Sequence, residues 1–322
     1  MKKIEEVYGK AYLFVDVRSP KEFAEDHIPR AVNIPLFSNE ERAIVGTLYK
    51  QVGKDMAINK GLEIVGHKLP EMIQEYQEYK EKKIVVYCWR GGMRSGSVVS
   101  LLKSLEFDVE QLEKGYKDYR RFVREELDRV PIPPLVILYA LTGSGKTEML
   151  QQLENSIDLE GLAQHRGSIF GDVGLKPRTQ KMFDSLLLQR LYEIQEEDHV
   201  FIEGESRKIG NTMIPLRLWN MMQKATKVKV LCPTEQRVER LYKEYCHSLD
   251  VPLLVQKIHY IEQHLGKKKA EDLIEMLEAG KVKEVIQIIL LEYYDTLYKH
   301  TVDSKEYSFE VHTVKELESC FA

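Results

Sequence analysis

The 322-residue sequence has few of the features that are typical of membrane proteins, secreted proteins and disulfide-rich proteins. It has no uncharged apolar run of membrane-spanning length, and its first residues turn acidic before any apolar run, which predicts neither a membrane anchor nor a signal peptide. Its cysteines are too few and too far apart for a disulfide scaffold or a paired-ligand zinc site. They are Cys88, Cys232, Cys246 and Cys320. We therefore expect a protein of a reducing compartment, the cytoplasm, with no membrane partner.

The sequence also has no excess of charge of one sign. Its 47 Lys and Arg residues against 51 Asp and Glu residues give a formal net charge of −4. No whole-molecule attraction to nucleic acid is therefore expected, and any RNA contact has to come from local basic patches. The chain has no internal repeat, and its 43% of hydrophobic residues is typical of a globular protein, here long enough for two domains.

Short apolar runs alternate with helical patterns along the chain, which predicts two successive α/β domains. The prolines at 131, 133 and 134 mark the boundary, because proline cannot continue a helix. We assign residues 1–130 to an N-terminal domain and residues 131–322 to a C-terminal domain with a parallel sheet. Strands are predicted over residues 13–17, 31–35, 84–87, 135–139, 199–202 and 228–232. Helices are predicted over residues 20–26, 95–105, 120–129 and 146–154, with a mostly helical C-terminal part from about 235 to 298.

The first chemical motif is a cysteine in a glycine-containing loop, at residues 87–95. The loop follows a predicted strand and precedes a helix, so backbone N–H groups and the helix N-terminus favour the thiolate of Cys88. Arg94 can bridge two oxygens of a bound tetrahedral anion, which lysine cannot do. The alternative is an inert, buried cysteine, but the glycine pair at 91 and 92 together with Arg94 favours a nucleophile.

The second motif is a phosphate-binding loop between a predicted strand and a helix, in the context that makes such a loop credible. Backbone N–H groups of this loop surround a phosphate, a lysine neutralises it, and a threonine can hold Mg²⁺. Ala140 stands where the first glycine of the motif is usual. The binding residues are predicted to be Gly143, Ser144, Gly145, Lys146 and Thr147.

Two polar clusters in the second domain have open interpretations. Glu203 and Glu205 follow a predicted strand, where a nucleoside triphosphatase places its magnesium-organising carboxylate, but glutamate instead of aspartate makes ordinary hydrolysis less expected. His165 and Arg166 lie in a glycine-flanked loop and can bind a diphosphate or an RNA phosphate. Solvated surface loops are the alternative for both clusters, and the requirement for a metal stays open.

The first domain resembles the rhodanese family, over residues 15–23 and 27–35 and at Gly115-Tyr116. That resemblance implies that Cys88 carries sulfur as a persulfide and that Asp16 and Arg18 stabilise the fold. Five residues separate Cys88 from Arg94, one more than in the commonest sulfurtransferase loops. In this spacing the loop is similar to those of cysteine phosphatases and arsenate reductases, which hold a phosphate-sized anion.

The ordered set of residues 87–95, 141–147, 165–168 and 203–210 resembles the tRNA 2-selenouridine synthase family, with a rhodanese-like domain followed by a P-loop NTPase-like domain and a helical tail. The resemblance covers about residues 8–240. It implies conversion of wobble 2-thiouridine in tRNA to 2-selenouridine by selenophosphate, through an S-geranyl intermediate made from geranyl diphosphate. It also implies no tightly bound cofactor, and it leaves open both a need for Mg²⁺ and a partnership with a selenophosphate-producing enzyme.

The same resemblance implies roles for individual residues. Cys88 would carry selenium, and Arg90 and Arg94 would hold the phosphate portion of selenophosphate. The phosphate loop, assisted by Arg166, would hold the diphosphate of geranyl diphosphate, with His165, Glu203 and Glu205 in support. The alternative function is a rhodanese-type sulfurtransferase or cysteine phosphatase fused to a P-loop RNA-binding module.

Overall fold

The computed structural model describes residues 1–246 and 250–321, and the side chain of Cys246 lies outside this description. The chain divides into two compact units, Met1–Val130 with Lys181–Tyr192, and Pro131–Gln180 with Glu193–Ala322. The sequence-based boundary placed residues 181–192 in the second domain, whereas they pack within the first unit. There Arg120 Nη2 donates to Asp184 Oδ2 over 3.0 Å, and Ser185 Oγ donates to Asp26 Oδ1 over 3.1 Å. Helical periodicity alone does not show which core such a helix joins.

The first unit is built on a four-stranded parallel sheet in the order β2-β1-β3-β4. Its strands are β1 (Leu13–Asp16), β2 (Val32–Asn33), β3 (Ile84–Tyr87) and β4 (Val109–Gln111). Its helices are α1 (Ile4–Val7), α2 (Pro20–Glu25), α3 (Asn39–Gln51), α4 (Lys54–Gln77), α5 (Met93–Ser104) and α6 (Gly115–Leu127). Strand β3 is buried along its whole length, as expected of a parallel strand covered on both faces.

The second unit holds a five-stranded parallel sheet in the order β11-β10-β5-β7-β6 and a small antiparallel hairpin, β8-β9. The strands of the sheet are β5 (Leu135–Tyr139), β6 (Ser156–Ile157), β7 (Val200–Glu203), β10 (Thr226–Val230) and β11 (Phe309–Val311). The hairpin is formed by β8 (Lys208–Ile209) and β9 (Thr212–Met213). These two sheets bear out the predicted α/β class.

Helices flank and extend the second sheet. They are α7 (Lys146–Leu150), α8 (Leu159–Ala163), α10 (Leu216–Lys224), α11 (Thr234–Cys246), α12 (Val251–Leu265), α13 (Lys267–Glu278), α14 (Val282–Ile288), a π-helix (Ile289–Tyr294), α15 (Asp295–Asp303) and α16 (Val314–Ser319). Helix α9 (Gln180–Glu193) lies before β7, and its residues 181–192 belong to the first unit. The predicted helical part after residue 235 is confirmed, and it has its own core around Ile258, Ile261 and Leu290.

Within the described ranges, every helix is too short or too polar to cross a lipid bilayer. The two sheets place the chemical motifs at their carboxyl ends, where ligands bind in open parallel sheets. The cysteine loop follows β3, and the phosphate loop follows β5. Because β7 pairs directly with β5, Glu203 and Glu205 lie at the same edge as the phosphate loop.

Candidate active sites

The cysteine loop is held in shape by contacts from strand β4. Cys88 is buried, and its Sγ lies 3.2 Å from Ser95 Oγ. Gln111 Nε2 donates to Gly91 O over 2.8 Å and to Ser95 Oγ over 2.9 Å. Gly91 has a φ of +62°, and a Cβ there would lie 2.7 Å from Leu112 O, so only glycine fits between the loop and β4. The thiol therefore lies at the base of a fixed loop.

The surroundings of Cys88 lower the pKa of its thiol. Burial alone would raise that pKa, but the Ser95 hydroxyl, the Ser95 N–H, the Arg94 charge and the Gly92 N–H together lower it further than burial raises it. A lowered pKa increases the thiolate fraction at neutral pH, and the thiolate is the nucleophilic form. The surroundings of the loop thus favour the thiolate form of Cys88.

The two arginines of the loop differ in their partners. Arg94 Nη1 lies 3.4 Å from Glu22 Oε2, and Arg42 Nε lies 3.6 Å from the same oxygen. Burial raises the pKa of Glu22, but the charge of Arg94 and further donors lower it below its ordinary value, so this carboxylate stays ionised beside the loop. Arg90 is exposed and forms no hydrogen bond or ion pair with any residue in the described ranges. Arg94 is thus held beside the loop, and Arg90 is available to a ligand.

Asp16 and Arg18 form a buried pair within the first unit. Arg18 Nη2 lies 2.6 Å from Asp16 Oδ2 and donates to Asp26 O over 2.7 Å. The Arg18 guanidinium also lies 3.8 Å from the centre of the Tyr116 ring. The Asp16 carboxylate and the Arg18 guanidinium are both hydrogen-bonded within the protein, which supports a structural role.

The phosphate loop is shaped by two glycines in the left-handed region. Gly143 has a φ of +76° and Gly145 a φ of +89°, values that other residues rarely adopt. Ser144 between them is buried, and helix α7 begins directly at Lys146. The loop therefore has the backbone conformation and the lysine position of a phosphate-binding site.

Helix α11 braces the phosphate loop through two arginines. Arg237 Nε donates to Thr142 O over 2.8 Å, and its guanidinium forms a pair with Asp295 at 2.6 and 2.9 Å. Arg240 Nη1 donates to Gly143 O over 2.7 Å, and its Nε lies 2.8 Å from Glu148 Oε2. These two hydrogen bonds fix the carbonyl oxygens of Thr142 and Gly143 in the loop.

Three carboxyl groups lie at the loop. Lys146 Nζ lies 4.0 Å from Glu205 Oε1, Thr147 Oγ1 donates to Glu160 Oε2 over 3.4 Å, and Glu160 N donates to Glu203 Oε1 over 2.7 Å. Burial is the main cause that raises the pKa of all three, and the neighbouring Glu205 charge helps to raise the pKa of Glu160 to about 8. Glu160 is thus mostly protonated at neutral pH. In the described part of the chain, no group of three or more His, Cys, Asp and Glu side chains has an arrangement suited to a metal ion.

The phosphate loop opens onto a cavity of about 1240 Å³ within the second unit. Glu160, Arg166, Glu205 and Arg240 line it, together with residues of α15. Arg166 is ion-paired with Glu244, and its Nη1 donates to Val173 O over 2.8 Å. This cavity brings most of the predicted residues of the second motif to one place.

The His165 ring lies against glycine backbone in the loop that carries Arg166. His165 does not line the cavity, and its ring packs against the backbone at Gly171 and Gly210, where a Cβ would lie 2.7 and 2.5 Å from ring atoms. Gly167 N donates to His165 Nδ1 over 3.1 Å, and burial lowers the pKa of the imidazole. A neutral His165 therefore shapes the loop that carries Arg166.

Comparison with known families identifies both units. The model described as the tRNA 2-selenouridine synthase AAA domain matches residues 133–319, and the rhodanese-like domain model matches residues 3–122. This chain belongs to the tRNA 2-selenouridine synthase family. It is 33% identical to the tRNA 2-selenouridine synthase of Shewanella piezotolerans, over 90% of this chain and 89% of the relative. It is also 32% identical to that of Psychromonas ingrahamii, over 90% and 88%, and 33% identical to that of Photobacterium profundum, over 90% and 89%.

In this member of the 2-selenouridine synthase family, sequence reasoning missed four residues that shape the two sites. They are Gln111, Glu160, Arg237 and Arg240. Glu160 and Arg240 line the cavity, while Gln111 and Arg237 hold loop backbone. A local motif reveals none of them, because each reaches its loop only through the packing of a distant strand or helix. The three-residue spacing of Arg237 and Arg240 on one predicted helix face was the only signal available.

Proposed function

We propose that this protein converts 2-thiouridine at the wobble position of tRNA to 2-selenouridine, with selenophosphate as the selenium donor and S-geranyl-2-thiouridine as the intermediate. The observation that carries the proposal is the occurrence, in one member of this family, of a thiol with a lowered pKa beside Arg94 and of a phosphate loop with its lysine at the start of α7. Because the proposed substrate is a tRNA, we also propose that the reaction takes place in the cytoplasm.

The first step of the proposed reaction uses the phosphate loop. The thiocarbonyl sulfur attacks C1 of geranyl diphosphate, the C–O bond breaks, diphosphate leaves, and the uracil ring loses its N3 proton. Lys146 and the N–H groups of the loop stabilise the charge on the departing diphosphate. This use of the loop requires no attack of water on a phosphate.

The second step uses the cysteine loop. Alkylation has turned the sulfur into a leaving group, so that selenium can replace it at C2 of the base. Overall, the S-geranyl nucleoside, selenophosphate and water give 2-selenouridine, geranylthiol and phosphate. We propose that Cys88 reacts with the selenium donor, because its lowered pKa favours the nucleophilic thiolate. We propose that Arg94 and Arg90 bind the phosphate portion of that donor.

The proposal is tested by incubating the protein with 2-thiouridine-containing tRNA and analysing nucleosides by mass spectrometry. Geranyl diphosphate alone should give S-geranyl-2-thiouridine, and geranyl diphosphate with selenophosphate should give 2-selenouridine. Selenophosphate alone should give neither product. Formation of 2-selenouridine without geranyl diphosphate would refute the intermediate, and absence of both modified nucleosides would refute the proposed function.

A further inference from the structure

One wall of the cavity beside the phosphate loop is a face of helix α15. Leu297, Tyr298, Thr301 and Val302 all line the cavity. Their spacing of one, four and five residues places them on the same side of the helix. The phosphate loop is on the cavity wall as well, with Lys146 and Arg240 as cations. The cavity therefore combines the phosphate loop, whose Lys146 and Arg240 lie beside Glu205 and Glu148, with an apolar wall.

Exposure distinguishes this helix face from the rest of the second unit. Leu297 is 40% and Tyr298 44% exposed, although both are large apolar residues. The other exposed large apolar residues described in this unit do not line the cavity; they are Met213, Leu216, Tyr260, Leu291 and Phe309. Single exposed apolar residues are ordinary, but an adjacent pair inside a concave site fits a ligand with an apolar part.

The apolar wall and Lys146 belong to the same cavity. Glu205 and Tyr298 line the same cavity, and burial, followed by the charge of Glu205, raises the pKa of Tyr298. Glu205 Oε1 in turn lies 4.0 Å from Lys146 Nζ. A ligand whose phosphate contacts Lys146 therefore occupies the same cavity that α15 lines.

The size of the cavity suits such a ligand. Its volume is about 1240 Å³, whereas an apolar cavity behind Thr142 in the helical core has about 50 Å³. Since a cavity of about 150 Å³ accommodates benzene, the smaller one cannot hold a chain of ten carbons. The larger cavity has room for a diphosphate and its chain together.

We propose that the face of α15 formed by Leu297, Tyr298 and Val302 binds the hydrocarbon chain of a prenyl diphosphate whose diphosphate lies on the phosphate loop. This placement rests on the proposed function and adds to it the position of the chain. The ligand class follows from these two parts of the cavity, because backbone N–H groups of a phosphate loop bind phosphate oxygens and a wholly polar ligand would leave the apolar wall uncovered.

Two leucines of equal exposure provide a matched experiment. Leu297 lines the cavity and Leu291 does not, and each is 40% exposed. Calorimetric affinities for geranyl diphosphate and for inorganic diphosphate would be measured on the full chain as wild type, Leu297→Ser and Leu291→Ser. We expect Leu297→Ser to weaken geranyl diphosphate about tenfold and inorganic diphosphate less than about twofold. Leu291→Ser should leave both affinities unchanged.

The outcomes separate this inference from the function on which it rests. If wild-type protein forms no S-geranyl-2-thiouridine from geranyl diphosphate, the proposed function fails. If the wild type prefers geranyl diphosphate but Leu297→Ser retains that preference, only the position of the chain is refuted. Weakened tRNA binding by Leu297→Ser, with geranyl diphosphate affinity intact, would likewise overturn it and assign the face to the RNA.

A chain-length comparison gives a second, independent readout. Leu297→Trp fills the space beside α15, so transfer from geranyl diphosphate should fall about tenfold or more relative to transfer from the five-carbon dimethylallyl diphosphate. Equal losses with both donors would contradict the placement. Because Leu297 is substantially exposed, the thermal midpoint of the variant should stay close to that of the wild type, which a melting curve checks.

Discussion

At the scale of single residues, the protonation and orientation of the side chains in the cysteine loop depend on their neighbours. The thiolate of Cys88 is favoured by Ser95, and Ser95 is oriented by Gln111. The cysteine and both arginines were visible in the sequence because they lie in one continuous loop. Gln111 was not, because the pairing of β4 with β3, and not the sequence near the loop, brings its amide to Gly91.

Replacing Ser95 by alanine should raise the pKa of Cys88. The variant loses the hydroxyl that lowers this pKa, whereas burial, which raises it, remains. When the alkylation rate of Cys88 by iodoacetamide is plotted against pH, the midpoint of its increase should therefore lie at a higher pH than in the wild type. Ser97→Ala is the control, since the Ser97 hydroxyl donates only to Met93 O and Arg94 O on an exposed part of α5. Identical pH profiles for Ser95→Ala and wild type would contradict the role of Ser95.

The buried Glu160 should make stability depend on pH. Its pKa is about 8 in the folded protein and near its ordinary value of 4.5 when unfolded, so the folded state binds the proton more tightly. Its contribution to the free energy of unfolding is therefore complete below about pH 4.5 and is lost as pH rises to about 8. Glu160→Gln keeps a neutral side chain at every pH. We expect the variant to melt at a temperature at least about 2 °C higher than the wild type at pH 8, with a smaller difference at pH 5.

The control for this experiment is Glu284→Gln, which changes an exposed carboxylate in α14 of the same unit. It should shift the melting temperature equally at both pH values. If the melting temperature of Glu160→Gln exceeded that of the wild type by less at pH 8 than at pH 5, the result would contradict a raised pKa of Glu160 in the folded protein.

At the scale of elements, the two strands that lead into the chemical loops were predictable, whereas strands β4, β6 and β11 and the helix that supports the phosphate loop were not. The strands β3 and β5 have the predicted bounds, because continuous β-branched runs that enter a glycine loop are a strong local signal. The helix predicted over residues 146–154 ends at Leu150, where the Ser156 hydroxyl donates to Leu150 O and Leu153 O over 2.6 and 2.9 Å. Helix α11 was predicted only as part of a helical tail, yet it braces the phosphate loop.

Removing the buried arginine of α11 should destabilise the second unit. Arg237→Ala leaves Asp295 without its partner and leaves Thr142 O without its donor. Loss of one member of a buried pair costs about 3 kcal/mol, and urea denaturation should show a decrease of that order. Asp295→Ala is the matched change. The double variant should lose less than the sum of the two single losses, whereas additive losses would show that the pair does not act as a unit.

At the scale of the whole molecule, the order of the motifs carried more information than any motif alone. A rhodanese-like domain and a phosphate loop are each common, but family membership rests on both, and the family models match residues 3–122 and 133–319. Local patterns could not place residues 181–192, which follow the phosphate loop in sequence but belong to the first unit. Because the cysteine loop and the phosphate loop belong to different units, we predict that mutations can separate the two proposed reaction steps.

The most direct test of this account is nucleoside mass spectrometry of tRNA treated with Cys88→Ser and Lys146→Ala proteins. With 2-thiouridine tRNA, geranyl diphosphate and selenophosphate, Cys88→Ser should accumulate S-geranyl-2-thiouridine and form no 2-selenouridine. Lys146→Ala should form little of either product from this tRNA, but should convert tRNA that already carries the S-geranyl group to 2-selenouridine. Equal loss of both steps in both variants would contradict the assignment of one step to each loop.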